Sequence, residues 1–324
     1  MLKRILITGA AGQIGSELVP ALCAKYGADS VIATDIIASQ PAASGFATPQ
    51  SNDLIRLDAT DKEALRRLIK EQNINEIYHL AGLLSANGEK NPARAWEINI
   101  TSWKNILDLG VEFKIAQIFW PSSIAAFGPT TPKTDIPQRT ILEPSTMYGV
   151  TKVTGELLAN YYFLKYGLDI RSLRYPGIIS WTTPPGGGTT DYASEIYYAA
   201  LQTGRYDCFV KADTVLPMIY MDDAVQATLQ LMEAPADKIS IRTSYNLGGL
   251  SFTAQDLADN VAKYVPSFSC AFKPDERQLI ADSWPRTIDD TAARADWGWQ
   301  PSFTLDQISQ DMIKNLRIKL KISS

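Results

Sequence analysis

Tyr148 and Lys152 stand four residues apart in the stretch MYGVTK, and Ser123 stands 25 residues before Tyr148. On a helix, residues four apart share a face, so a phenol and an ammonium would project together. A phenol with a pKa of about 10 is a poor base at neutral pH. A neighbouring ammonium favours the phenolate and moves it toward a useful range. Taken alone, Tyr-x-x-x-Lys is common in helices. Ser122 and Ser123, at the end of an apolar run, add a hydroxyl that can hold a substrate oxygen for the tyrosine. The chemistry available to such a trio is proton removal from an alcohol.

A second constellation opens the chain. An apolar run at residues 5–8 leads into TGAAGQIG, with glycines at 9, 12 and 15. Gly9 suits the tight turn after a strand, Gly12 the close approach of a pyrophosphate, and Gly15 close helix packing. The helix N-terminus that follows offers free amides and a positive dipole end. Asp35 lies 20 residues after Gly15, where a carboxylate can accept from both ribose hydroxyls and would repel a 2′-phosphate. NAD is thus expected over NADP. Asp58 ends a third strand and is read as a contact to the adenine amino group, whereas Thr60 or Asp61 is read as a helix cap. Ala81 and Gly82, small residues after His79-Leu80, suit a flat ligand. His79, the single histidine, has no evident partner and is read as a packed side chain.

These residues need rigid elements beneath them. Strands are expected at 5–8, 31–34, 54–57, 77–80, 115–120 and 169–174, and helices at 14–26, 62–71, 93–109 and 147–166. Alternation of this kind predicts an α/β fold with a doubly wound parallel sheet. Beyond residue 176 the expected elements are helices at 192–201, 223–232, 253–264, 290–295 and 305–316, with a strand at 244–247. The helix at 253–264 is capped by Ser251 or Thr253. Residues 39–53, rich in Ala, Ser, Pro and Gln, read as a surface connection.

Composition narrows the class. The net charge is −4 with acids and bases interspersed, which argues against nucleic-acid and anionic-membrane surfaces. Three distant cysteines and one histidine make a disulfide framework and a metal site improbable. No apolar run approaches the length of a membrane-spanning helix, so a cytoplasmic protein is expected.

Taken together, the glycine triplet, Asp58, Leu80-Ala81-Gly82, Asn99, the serine pair, Tyr148, Lys152 and RYPG at 174–177 resemble the extended short-chain dehydrogenase/reductase family over essentially the whole chain. That resemblance implies a Rossmann NAD-binding domain at 1–175, which also carries the catalytic residues. A mainly substrate-binding domain at 176–324 would follow, with some chain returning to the first sheet. It implies Tyr148 as general base, Lys152 binding the nicotinamide ribose and tuning Tyr148, and Ser123 orienting the substrate. Gln13, Ile14, Ala59, Leu80, Ala81, Gly82, Asn99, Tyr175, Gly177 and Ile178 join Gly9, Gly12, Gly15, Asp35 and Asp58 as implied NAD contacts.

Within the family, nucleotide-sugar epimerases and dehydratases carry an R-Y-F-N pattern where this chain has Gly177. Longer stretches, including FWPSSIAAFGPTTPK, SLRYPGIISW, PPGGGTTDYA and LPMIYMDDA, are instead similar to the short-chain L-threonine 3-dehydrogenase branch. That likeness implies oxidation of the L-threonine β-hydroxyl with NAD. It also implies a homodimer through the helices near 93–109 and 147–166. PPGGGTTDYA becomes a loop closing over the amino acid, with Gly186–Gly188 lending mobility and backbone N–H groups. Ser85, Ser122, Ser123, Tyr148, Gly188, Thr189 and Trp284 are the expected substrate contacts. Gly82, Asn87 and Gly88 depart from the branch pattern near the nicotinamide.

Overall fold

The computed structural model describes residues 2–37 and 54–322, and the expected surface connection at 39–53 lies outside the described residues. A seven-stranded, all-parallel sheet organises the first half. Its strands are β1 (Ile5–Thr8), β2 (Val31–Asp35), β3 (Ile55–Arg56), β4 (Glu76–His79), β5 (Gln117–Ser123) and β6 (Ile170–Tyr175), joined later by β10 (Tyr245–Asn246). The spatial order is β10-β6-β5-β4-β1-β2-β3. The chain therefore winds outward from β1 in both directions, and a crevice opens at the C-terminal ends of β1 and β4, where ligands bind in such sheets. Four residues of β1 are all buried, as expected for a strand covered on both faces.

Helices α1 (Gly15–Tyr26), α2 (Lys62–Glu71), α3 (Ser85–Lys90), α4 (Pro92–Trp96), α5 (Ser102–Glu112) and α6 (Met147–Tyr166) cover this sheet. Asp61 caps α2 through the Ala64 amide at 2.9 Å. The single helix expected at 93–109 is instead α4 and α5 joined by a π-helical turn, Glu97–Thr101. Such turns widen a helix by one residue and concentrate at functional sites. Here the turn faces Asn99 inward against the β4–α3 connection.

The second half adds α7 (Tyr192–Gln202), α8 (Met221–Glu233), α9 (Ala254–Tyr264), α10 (Arg277–Ser283), α11 (Thr291–Trp297) and α12 (Leu305–Leu320). Thr253 rather than Ser251 caps α9, in a reciprocal box with Asp256. Two small sheets escape the sequence reading. One is β11 (Leu250–Thr253), β9 (Val215–Tyr220) and β7 (Gly177–Ile179); the other is β12 (Ser269–Phe272) with β8 (Arg205–Cys208). In β9 the apolar run contains Pro217 and passes directly into α8, which disguises its period. Its side chains Leu216, Met218 and Tyr220 enter a core shared with α7, α9 and α12. Helix α8, through side chains from Met221 to Met232, and β10 pack on the first sheet instead. Among the described residues no helix is long and apolar enough to cross a membrane.

Candidate active site

Helix α6 starts abruptly because Thr146 is extended and its hydroxyl accepts from the Gly149 amide at 3.1 Å. This start puts Tyr148 in the first turn and Lys152 one turn on, over the C-terminal end of β5. Ser123, the last residue of β5, hydrogen-bonds the Tyr148 phenol, and its oxygen accepts from the Ala125 amide at 3.2 Å. The Lys152 ammonium lies 5.2 Å from the Tyr148 ring centre and 4.6 Å from that of Trp120. It donates to the Pro121 carbonyl at 2.6 Å.

Desolvation raises the Tyr148 phenol to about 12, against a smaller downward pull from the Ser123 hydrogen bond. Desolvation also lowers Lys152 to about 7, opposed by the negative charge of Glu156. The expectation that Lys152 would by itself bring the phenol down is therefore corrected. Its proton is turned to a backbone carbonyl, and the loss of water around the phenol dominates.

Behind this trio lies a buried polar layer. The Ser122 hydroxyl donates to Glu156 at 2.6 Å, and Glu156 pairs with the Arg174 guanidinium at 2.6 and 2.9 Å. Both members of the pair are almost fully buried. Ser122 borders the cavity but spends its hydroxyl inward, so its expected role as a substrate contact does not follow from this geometry. His79 is fully buried, stacked on Trp103, and shares hydrogen bonds with Thr8 at 2.7 Å and Ser102 at 3.0 Å. Desolvation, aided by the Lys152 charge, holds it down to about 3. It is a neutral structural residue, as its lone position suggested.

Two connected hollows meet at Leu80, Gly82 and Leu83. The larger, about 470 Å³, is bordered by Gly9, Gly12, Asp35, Asp58, Ala59, Leu80, Ala81 and Gly82. Gly9 has φ of 72°, and a Cβ there would stand 2.6 Å from the Ala81 amide nitrogen. Only glycine lets this turn cross the end of β4. A Cβ on Gly15 would strike the Gly9 carbonyl at 2.5 Å, so this residue serves helix packing and borders neither hollow. The bare backbone here and the positive dipole end of α1 fit a dinucleotide pyrophosphate. Asp35 accepts from the Ala11 amide at 3.0 Å, which ties the glycine turn to the acid at the end of β2. Asp58 accepts from the Thr60 amide and hydroxyl at 2.9 and 2.7 Å while bordering the same hollow.

Asn99 departs from its expected place. Its carboxamide is committed to the Leu83 amide at 2.7 Å, the Leu83 carbonyl at 3.2 Å and the Thr151 hydroxyl at 3.1 Å. It borders neither hollow and instead fixes the strand-end segment to α6. Tyr175 borders the smaller hollow, but its hydroxyl is bonded to Thr228.

The smaller hollow, about 150 Å³, brings together Gln13, Ile14, Ser85, Ser122, Ser123, Tyr148, Lys152, Gly177, Ile178, Gly188, Thr189 and Trp284. Trp284 is both core and wall: it is 6% exposed within a hydrophobic cluster and also lines the hollow. Side chains that the sequence reading passed over also line it, among them Ile124, Thr190 and Asp191. In the larger hollow the omissions include Ile36, Ile37 and Arg94. A usable signal existed for the isoleucines, since two large apolar residues straight after a strand-ending acid are unusual, and both are more than half exposed. The glycine run also needs correction. The amides of Gly187 and Gly188 are not free for a ligand; both donate to the Asp191 carboxylate, at 2.8 and 2.7 Å.

A doubly wound sheet with a glycine cradle at its switch point, leading to a Ser/Tyr/Lys set, defines an NAD-dependent enzyme of the extended short-chain dehydrogenase/reductase class. The chain belongs to the NAD dependent epimerase/dehydratase family, which it matches over residues 5–248. It is 46% identical to a mitochondrial L-threonine 3-dehydrogenase of Bos taurus, over 96% of this chain and 82% of the relative. A GalE-like L-threonine dehydrogenase from Cupriavidus necator, in its holo form, superposes with a TM-score of 0.91 at 48% identity, covering 97% of this chain and 99% of the other. A monomeric L-threonine 3-dehydrogenase from a metagenome, in apo form, gives a TM-score of 0.91 at 46% identity, with the same coverages.

Proposed function

We infer that this chain is an NAD-dependent L-threonine 3-dehydrogenase, oxidising the β-hydroxyl of L-threonine to give 2-amino-3-oxobutanoate. The observation that carries the reading is the small hollow in which Tyr148, Ser123 and Lys152 meet Ser85, Thr189 and Trp284, opening directly onto the glycine-lined one. The likeness to threonine dehydrogenases supports the substrate.

Bound NAD⁺ would supply the acceptor for the hydride that leaves the substrate Cβ. Gly9, Gly12 and the α1 amides hold its pyrophosphate, and Asp35 and Asp58 read its adenosine half. Ser123 holds the hydroxyl of the substrate against Tyr148, and the Tyr148 phenolate takes its proton. Lys152 supplies positive charge on the same side and so favours that phenolate. Ser85, Gly188, Thr189 and Trp284 enclose the rest of the amino acid and exclude water.

A nucleotide-sugar reaction is disfavoured at Gly177. A Cβ there would lie 2.5 Å from the Met218 sulfur and 2.7 Å from Thr190, so the asparagine of the sugar-binding pattern has no room.

The functional division falls at 175/176, cofactor and chemistry before it, most of the substrate wall after it. A homodimer is supported by α6, where Val150, Leu157, Tyr161 and Leu164 expose one apolar stripe. Sedimentation of the purified protein decides between this and the monomeric state of one relative. A cytoplasmic location fits three cysteines spread widely along the chain and is checked by cell fractionation.

The deciding experiment follows NADH absorbance with L-threonine and NAD⁺, beside L-serine, D-threonine, L-allo-threonine and NADP⁺. Turnover confined to L-threonine with NAD⁺ supports the reading. Absence of turnover with any of these substrates overturns it.

A further inference from the structure

A zwitterionic amino acid brings an ammonium as well as a carboxylate and a hydroxyl into the small hollow. The Ser/Tyr/Lys set accounts for the hydroxyl, and hydroxyl and amide groups can hold the carboxylate. Nothing assigned so far answers the ammonium. Burying a cation without a counter-charge is costly, and the hollow must therefore hold one. Of all the residues that line it, only Asp191 carries a carboxylate, and only Lys152 is cationic.

Among the described residues, the hydrogen bonds to the Asp191 carboxylate come from backbone amides rather than from a cationic side chain. Its Oδ2 accepts from two successive backbone amides, Gly187 at 2.8 Å and Gly188 at 2.7 Å. Such amide pairs stabilise negative charge while contributing no full positive charge of their own. Although Asp191 occupies the residue before α7, its side chain does not cap that helix. The carboxylate is directed to the glycine loop, and Gly188 packs so closely that a Cβ there would touch Oδ1 at 2.8 Å. The loop and the acid thus form one unit, and both line the same hollow of about 150 Å³ as Tyr148 and Lys152. In L-threonine the ammonium is borne on the carbon next to the reacting one. A counter-charge across so small a space is within its reach.

We propose that Asp191 binds the α-ammonium of the substrate and is the residue that selects amino acids over simple hydroxy acids. This rests on the threonine reading above. It also gives the glycine loop a reason to close, because the ammonium would tie the loop's own acid to the opposite wall through the substrate.

The test compares L-threonine with (R)-3-hydroxybutanoate, which keeps the reacting centre and the carboxylate but lacks the ammonium. The latter is read as substrate or as competitive inhibitor. Asp191→Asn keeps an oxygen for the two glycine amides and removes only the charge. It is expected to lower kcat/KM for L-threonine by about 100-fold, mostly through KM, in line with losses on breaking buried charge pairs. Its handling of (R)-3-hydroxybutanoate should stay within about twofold of wild type. Asp191→Glu should recover part of the threonine activity, and thermal unfolding checks that each variant folds. Equal losses on both compounds, or an Asp191→Asn enzyme unchanged on L-threonine, would mean that Asp191 only shapes the loop and would overturn the proposal. If Asp191→Asn does not fold, Asp191→Glu and Asp191→Ser are judged on the same ratio of the two compounds. A wild-type enzyme inactive on L-threonine is a different result: it overturns the proposed function itself.

Discussion

Lys152 lies 5.2 Å from the Tyr148 ring centre, yet its hydrogen bond goes to the Pro121 carbonyl and not to the phenol. The lysine thus acts on the tyrosine as a nearby charge rather than as a direct donor. Both groups lose water, and their pKa values move apart, the phenol up to about 12 and the ammonium down to about 7. The reactive form, phenolate beside ammonium, is the one that burial disfavours. Binding and catalysis must supply what stabilises it.

Tyr148→Phe should therefore lower kcat by about 10²–10⁴-fold, the usual worth of a positioned acid–base group. NAD⁺ binding, read by cofactor fluorescence quenching or calorimetry, should change little. In the wild type the rate should rise with pH, because the phenolate is the active form and the free phenol titrates at about 12. Lys152→Met removes the cation beside the phenolate and should lower kcat most below about pH 7, where Lys152 is charged.

Asp35 borders the larger hollow and holds the Ala11 amide at 3.0 Å. Asp35→Ala should raise KM for NAD⁺ and narrow its preference over NADP⁺ by roughly tenfold or more. A hydrogen bond to a charged group is worth about 1.5–3 kcal/mol. Initial rates with the two cofactors at fixed L-threonine measure both effects. Loss of NAD⁺ affinity with no change in preference would assign Asp35 to the turn alone.

Gly177 is packed against Met218, which is fully buried, and Thr190. Gly177→Ala should destabilise the protein by about 1–3 kcal/mol through overpacking, and urea unfolding reads the change. The same substitution should raise KM for L-threonine more than for NAD⁺, because Thr190 borders the small hollow. A variant as stable as wild type would show that the neighbouring side chains yield freely, and the argument against a sugar substrate would weaken with it.

The first sheet was readable because parallel strands buried on both faces leave continuous apolar runs, and Ile5–Thr8 is such a run. The glycine turn was readable because each glycine answers a separate steric need. What escaped the reading depends on partners distant in the chain. Nothing local marks β8 and β12 as a pair, since each is only four residues long, Cys208 is the one buried position in the two, and Arg205 meets Ser269 only in the folded chain. The π turn follows from where Leu83 and Thr151 place their hydrogen-bonding groups around Asn99. Of the site residues, Ser122 borders the small hollow as expected whereas Asn99 borders neither, and the polar atoms of both turn inside the protein. The sequence pattern conveys which residues gather at the crevice. It does not convey which way each side chain turns.

His79 makes the fold sensitive to acid. Its imidazole is enclosed between Thr8, Ser102 and Trp103, and desolvation holds it down to about 3 from an ordinary value of 6.5. The unfolded chain therefore binds a proton between those two values while the folded chain does not. Unfolding is favoured as pH falls through that window, and the stability is fully present above it. Each pKa unit of difference corresponds to about 1.4 kcal/mol, so this one side chain is expected to withdraw a few kcal/mol by pH 4. Urea unfolding of wild type at pH 7 and pH 4.5 should show the loss. His79→Gln keeps polar atoms for Thr8 and Ser102 but does not titrate. It should start less stable at pH 7, because its amide cannot reproduce the stack on Trp103, and should lose distinctly less between the two pH values. If wild type and His79→Gln fall in parallel, the acid sensitivity resides in carboxylates elsewhere, and the buried imidazole is stabilised by more than its two hydrogen bonds.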